Sequence, residues 1–150
     1  MGRAYSVDGS QNAAASTTIL STSLVGVVTV RPAWFYLTIG AAATPADQAS
    51  NMQVNRLTAD GTGTAVTPQA IDNADPSAIA DALEDHTGEP TYTANAVLLS
   101  FSFNSRANYQ WYANPGRELK QPATASNGLG LRFVLATGTQ LFEATIHFEE

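Results

Sequence analysis

Two stretches in the second half of the chain alternate apolar and polar residues with a period of two, and a helix cannot satisfy that pattern. Val97, Leu99, Phe101 and Phe103 alternate with Leu98, Ser100 and Ser102; Phe142, Ala144, Ile146 and Phe148 alternate with Glu143, Thr145 and His147. Successive side chains of a strand point to opposite faces, so each stretch predicts a strand with one buried face. Runs of β-branched residues over Thr17–Leu24 and Val25–Val30 predict two more. After the Arg31-Pro32 break, Trp34-Phe35-Tyr36-Leu37-Thr38-Ile39 is apolar on both faces, and Met52, Val54 and Arg56–Thr58 make a shorter strand. Tyr109-Gln110-Trp111-Tyr112 follows the Asn104-Ser105 turn, and Tyr109 and Trp111 share one face. Turn signals at Asn127-Gly128 and Thr137-Gly138 bound Leu129–Leu135, and Gly138-Thr139 has the form of a two-residue hairpin loop into the last strand.

The remaining segments interrupt this pattern. Residues 1–16 are small and polar without apolar periodicity, which predicts an extended N-terminal arm. Residues 59–76, punctuated by Gly61, Gly63, Pro68 and Pro76, predict a structured loop. Asp75-Pro76 has the form of a helix cap followed by proline at the first helical position, and Ile79 and Leu83 are spaced i, i+4, so one short helix is expected over 75–84. About eight short strands and one helix in a long loop predict an all-β, jelly-roll-like β-sandwich as a single domain, residues 17–150, behind the arm.

With 150 residues, 44% of them hydrophobic, the chain can bury the core of one domain. The strongest apolar stretch, Leu24–Gly40, is cut by Arg31 and Pro32 short of the roughly 18 residues a membrane helix needs. The first residues lack the apolar block of a signal peptide. The absence of cysteine excludes disulfides, thiolate zinc sites and cysteine nucleophiles. Seven basic residues against thirteen acidic ones give a net charge of −6, and the six arginines are scattered, with Lys120 the single lysine. Such a chain repels a phosphate backbone, so direct nucleic-acid binding is not expected. Ala, Thr, Ser, Asn and Gly take the place of charge, and a surface of small neutral side chains is cheap to desolvate against another protein.

No catalytic motif stands out. His86 falls at the end of the expected helix and His147 on the polar face of the last strand, positions that suit structural roles. No Gly-x-Ser-x-Gly, His-Glu-x-x-His or phosphate-cradling glycine loop occurs. Asp72, Asp75, Asp81, Glu84, Asp85 and Glu89 form the best metal candidate, with Asp81 and Asp85 on one face of the expected helix. They lack the ladder and closing Glu of a calcium loop, and Asp75 serves better as a cap, so neither metal nor cofactor is expected. Tyr109, Trp111 and Tyr112 could form a platform for sugars or bases, but suit a core or subunit interface better. Arg106 is expected to pair with Glu118 or cap a turn.

The block Arg56–Pro68, the Asp72–Ala80 segment, Phe103–Ala107 with Tyr109–Tyr112, Asn114–Glu118 and Asn127–Leu129 together resemble small structural proteins of tailed bacteriophages, capsid decoration (cement) proteins or other minor virion components. The resemblance spans about residues 35–136 and rests on turn-and-strand patterns, with no catalytic chemistry. It implies a non-enzymatic protein on the outer surface of the virion, made in the host cytoplasm. It would sit as a trimer, or a dimer, on the major capsid protein and bridge neighbouring capsomers to stabilise the DNA-filled head. A tail or baseplate component, or a receptor-binding module that takes glycans, is the alternative. From composition alone, the expected interface residues are Arg3, Tyr5, Trp34, Tyr36, Arg106, Tyr109, Trp111 and Tyr112.

Overall fold

The computed structural model describes residues 2–26, 29–135 and 138–150. Among them are twelve strands and no helix: β1 (Ala4–Ala13), β2 (Thr17–Leu24), β3 (Ala33–Ala41), β4 (Ala49–Ala59), β5 (Thr62–Val66), β6 (Gln69–Ala70), β7 (Ala80–Gly88), β8 (Thr91–Asn104), β9 (Asn108–Tyr112), β10 (Leu119–Lys120), β11 (Gly128–Leu135) and β12 (Gln140–Glu149). They build two antiparallel sheets. Sheet I runs β6-β1-β12-β3, with β9 and β10 both paired to the far side of β3, so that one edge is shared by two short pieces. Sheet II runs β5-β7-β2-β11-β4-β8.

The sheets share one core. Tyr5, Val7, Leu37, Phe142, Ile146 and Phe148 from sheet I meet Leu20, Leu24, Met52, Val54, Leu131 and Phe133 from sheet II. Trp34, fully buried, ties the two together: its indole N–H donates to the Thr22 hydroxyl at 2.8 Å. Phe133 meets Phe142 edge-on across the same gap, with ring centroids 5.0 Å apart. Alternation along β12 places Phe142, Ala144, Ile146 and Phe148 inward, as its period of two requires.

Five expectations are corrected. Residues 59–76, expected as a structured loop, hold the strands β5 and β6, paired to β7 and β1. Residues 4–13 are not an arm: β1 lies between β12 and β6, paired with β12 over its whole length, and Tyr5 and Val7 are core residues. Its inward row also includes Gly9 and Gln11, which hides the apolar period. The expected helix over 75–84 does not form. Asp72 and Asp75 close a turn, with the Asp75 N–H donating to the Asp72 carbonyl at 2.9 Å, and Ala80–Gly88 is β7, hydrogen-bonded to β2 on one side and β5 on the other. Two strand ladders outweigh a helix preference worth tenths of a kcal/mol per residue, roughly. β11 and β12 do not form a hairpin, because they belong to different sheets; Ala136 and Thr137 of that connection lie outside the described residues. Of the strand expected over 25–30, Val25 and Gly26 are outside any strand, and Val27 and Val28 lie outside the described residues.

One long ribbon shapes sheet II. β4 and β5 run antiparallel to β8 and β7, from Ala49 opposite Asn104 to Val66 opposite Ala82. Yet β4 lies beside β11 while β7 lies beside β2, so the ribbon crosses the outer face of the β2–β11 pair. At the crossing a Cβ on Gly61 would collide with the Gly88 carbonyl, which explains glycine there. The Glu89 carboxylate accepts the Thr18 N–H at 3.0 Å and the Thr18 hydroxyl at 2.5 Å. With its proton so committed, Thr18 Oγ1 accepts from the Tyr92 hydroxyl at 2.6 Å. The Tyr92 ring lies over Gly130, with the Arg132 guanidinium 5.1 Å from its centroid. Leu57 is buried in sheet II outside the main apolar cluster, and Ser21, Asn55 and His86 are buried polar residues of the same sheet.

Candidate docking surface

The outer face of sheet I is a grid fixed by strand register. One row crosses the sheet as Tyr112, Tyr36, His147 and Ser6; the next as Gln110, Thr38, Thr145 and Asp8; the third as Asn108, Gly40, Glu143 and Ser10. The first row is aromatic and the third polar and acidic.

The aromatic end is built by a β-bulge. His147 pairs with Tyr36 and Phe148 with Trp34, so Phe35 is the extra residue of β3. A bulge lets two consecutive side chains oppose one on the neighbouring strand, and Phe35 and Tyr36 both reach the His147 ring, at 5.9 and 4.7 Å. Tyr112 on β9 completes the group, its ring 4.8 Å from that of Tyr36 and 67% of its surface exposed. Phe35, Tyr36, Tyr112 and His147 line one open depression. Partial burial lowers the His147 pKa below the usual histidine value, which keeps the ring neutral at pH 7. The patch is therefore aromatic, uncharged and open to solvent, with hydroxyl and imidazole groups at its rim.

The expected interface residues separate into three groups. Tyr36 and Tyr112 belong to this patch. Tyr5 and Trp34 are fully buried in the core, Tyr5 stacking on Phe148 at 5.6 Å, so neither presents surface to a partner. Tyr109 and Trp111 do share a face of β9, but it is the inner one: Tyr109 stacks on Phe101 with centroids 3.9 Å apart, and both pack against the core while staying half-exposed. Arg3 and Arg106 are exposed, do not line the patch, and each stands beside a carboxylate: Arg3 is 4.0 Å from Asp75, and Arg106 is 3.5 Å from Asp47. Arg106 therefore does not take Glu118 as partner. The Glu118 carboxylate accepts the Gly116 N–H at 2.8 Å, and backbone hydrogen bonds lower its pKa. Phe35 and His147 are the patch members that sequence reasoning did not select. Strict alternation sets Phe35 and Tyr36 on opposite faces, and nothing in the sequence marks the bulge.

The acidic residues are dispersed. Asp72 accepts the Ala74 N–H at 3.0 Å, Glu84 accepts the Ser10 N–H at 2.5 Å, and Glu89 holds Thr18, while Asp81 and Asp85 are exposed on β7. With β7 a strand, Asp81 and Asp85 share no helix face, and among the described residues no three His, Asp or Glu side chains are grouped to hold a metal. His86, expected at a helix end, is buried on β7 with its Nε2 3.0 Å from the Ser21 hydroxyl. Comparison of the chain with family models, with curated proteins and with solved structures finds no match.

Proposed function

We propose that the chain is a virion structural protein, a capsid decoration protein that docks on the outer shell and bridges neighbouring capsomers. The observation that carries this reading is the uncharged aromatic patch of Phe35, Tyr36, Tyr112 and His147 on an otherwise polar sheet face. Buried aromatic anchors, each worth about 2 kcal/mol or more at the centre of an interface, are how a small protein holds a large one. A patch that carries no charge loses little on desolvation. Its place is the outer surface of the head, its partner the major capsid protein, and its action is buried area across joints loaded by packaged DNA, without a chemical step.

The strand order supports a jelly-roll reading of the fold. Taken in chain order, β1, β3, β9 with β10, and β12 fall in sheet I as β1-β12-β3-β9, while β2, β4, β8 and β11 fall in sheet II as β2-β11-β4-β8. Apart from the β4–β8 step, where both strands lie in sheet II, chain neighbours alternate between two four-stranded sheets, as in a jelly-roll sandwich, and β5–β7 are an insertion between β4 and β8.

Tyr36 and Tyr112 rings open to solvent also suit a pyranose face, which favours a glycan-binding virion component as the second reading. Purified protein added to heads that lack it separates the two. The decoration reading expects hundreds of bound copies per head and DNA release moved to higher temperature. Absence of binding to heads, together with measurable heat on titration with host-surface glycans, would overturn it.

A further inference from the structure

We propose that two copies of this chain pair edge to edge through β8, extending sheet II across a two-fold axis. β8 is a 14-residue edge strand hydrogen-bonded on one side only, to β4. Proteins normally blunt such an edge with charge, proline, short length or a covering segment. β8 is bulged against β4 between Thr91 and Leu99, but over Leu99–Asn104 it pairs regularly, and from Thr91 to Asn104 it contains no Asp, Glu, Lys, Arg or Pro. The other edges are blunted. β5 is five residues long; the free flank of β1 is met by the Glu84 carboxylate, which takes the Ser10 N–H at 2.5 Å; and the β9–β10 edge is broken by a turn containing Pro115 and ends in Lys120.

Two further observations point to a second copy as the occupant. The core runs out on this side: Leu98, Leu99, Phe103, Tyr109 and Trp111 pack against it yet remain half-exposed, and Val97 is 42% exposed. Each chain also carries a net charge of −6, so two copies approach best along a strip without charge, and residues 90–105 are such a strip.

An antiparallel pairing centred on Ser100 is self-complementary. Ser100 faces its own copy, Leu99 faces Phe101 of the second copy, and Leu98 faces Ser102. Leu99 and Phe101 pair with the buried Val54 and Met52 on β4 and so lie on the core face, which makes the two cores continuous across the axis. Such an interface is isologous and closes at two, which gives the dimer, and not the trimer, of the two assemblies that the cement resemblance implies. It is independent of what the aromatic patch binds.

The chain contains no cysteine, so a single introduced thiol reports the register. Across an antiparallel pair, Cα atoms lie about 4.5–5.5 Å apart, within reach of a disulfide. With oxidised glutathione as acceptor of the two electrons, Ser100→Cys is expected to give a covalent dimer on a non-reducing gel. Ser102→Cys, whose thiols would lie about 14 Å apart, is expected to stay monomeric. Sedimentation of the wild type at about 100 µM should show a dimer. Ser100→Lys, an exposed position, should shift it to monomer while its melting temperature matches that of the wild type at concentrations dilute enough for both to be monomeric, and mixing it with Ser100→Glu should restore the dimer. A monomeric wild type, a dimer indifferent to Ser100→Lys, or cross-linking at 102 as efficient as at 100 overturns the proposal.

Discussion

Gly130→Ala tests the ribbon that crosses sheet II. A Cβ at this position would stand 3.1 Å from Cε1 and Cζ of Tyr92 and collide with its hydroxyl. Tyr92 has little room to retreat. Its hydroxyl donates to Thr18, Thr18 donates to Glu89, and Arg132 sits against its ring. Overpacking of this kind costs about 1–3 kcal/mol, and loss of the Tyr92–Thr18 hydrogen bond adds about 1 kcal/mol. Removing a strand glycine returns about 0.5–1 kcal/mol of chain entropy. The net destabilisation is about 1–3 kcal/mol. For 150 residues the unfolding entropy is about 0.3 kcal/mol/K, so the melting temperature falls by roughly 3–10 °C. Urea unfolding of Gly130→Ala, Tyr92→Ala and the double variant measures it. With the ring gone, the Gly130→Ala cost should vanish or change sign. A Gly130→Ala protein as stable as the wild type, or one whose cost persists in the Tyr92→Ala background, would refute the packing argument.

Burial lowers the folded pKa of His86, so as pH falls below about 6.5 the unfolded chain binds a proton that the folded chain refuses. Stability should therefore decline from about pH 7 to pH 5 in urea titrations, and less so in His86→Gln; burial raises the Asp60 pKa, which acts in the opposite sense, its cost developing only as pH rises from about 4. Trp34→Phe removes the indole donor to Thr22 and leaves a void in the shared core, an expected loss of about 2–4 kcal/mol in urea. Tyr5→Phe deletes the hydroxyl that donates to the Pro76 carbonyl at 3.1 Å and should cost about 1 kcal/mol by thermal melting, with no effect on partner binding.

What the sequence made legible depended on how each strand fills its buried face. β12 and the Leu99–Phe103 part of β8 put large apolar residues at alternate positions, and their period survived into the fold. β1 did not look like a strand because Gly9 must be small: a Cβ there would come within 2.8 Å of Leu20 and Glu84 atoms. β7 looked helical because its inward residues are Ala80 and Ala82, good helix formers whose strand state is set by pairing with β2 and β5, segments distant in sequence. The candidate site was legible only in part. Tyr36 and Tyr112 were selected by residue type, and Tyr109 and Trp111 were correctly placed on a common face. The grouping of Phe35 with Tyr36 depends on a bulge at the His147–Phe148 step, and the burial of Tyr5 depends on an unseen strand. Both are consequences of tertiary register and leave no local mark.

Under the proposed function, the aromatic patch on sheet I holds this protein to a capsid. The most direct measurement is the number of copies bound per head for wild type and for Tyr36→Ser/Tyr112→Ser, counted by cryo-electron microscopy of heads mixed with each protein at matched concentration. Tyr112 is exposed and Tyr36 half-buried on the outer face, so the variant should keep its fold by circular dichroism. Full occupancy is expected for the wild type and near-empty sites for the variant. Equal occupancy by both proteins, or none by either, would contradict it.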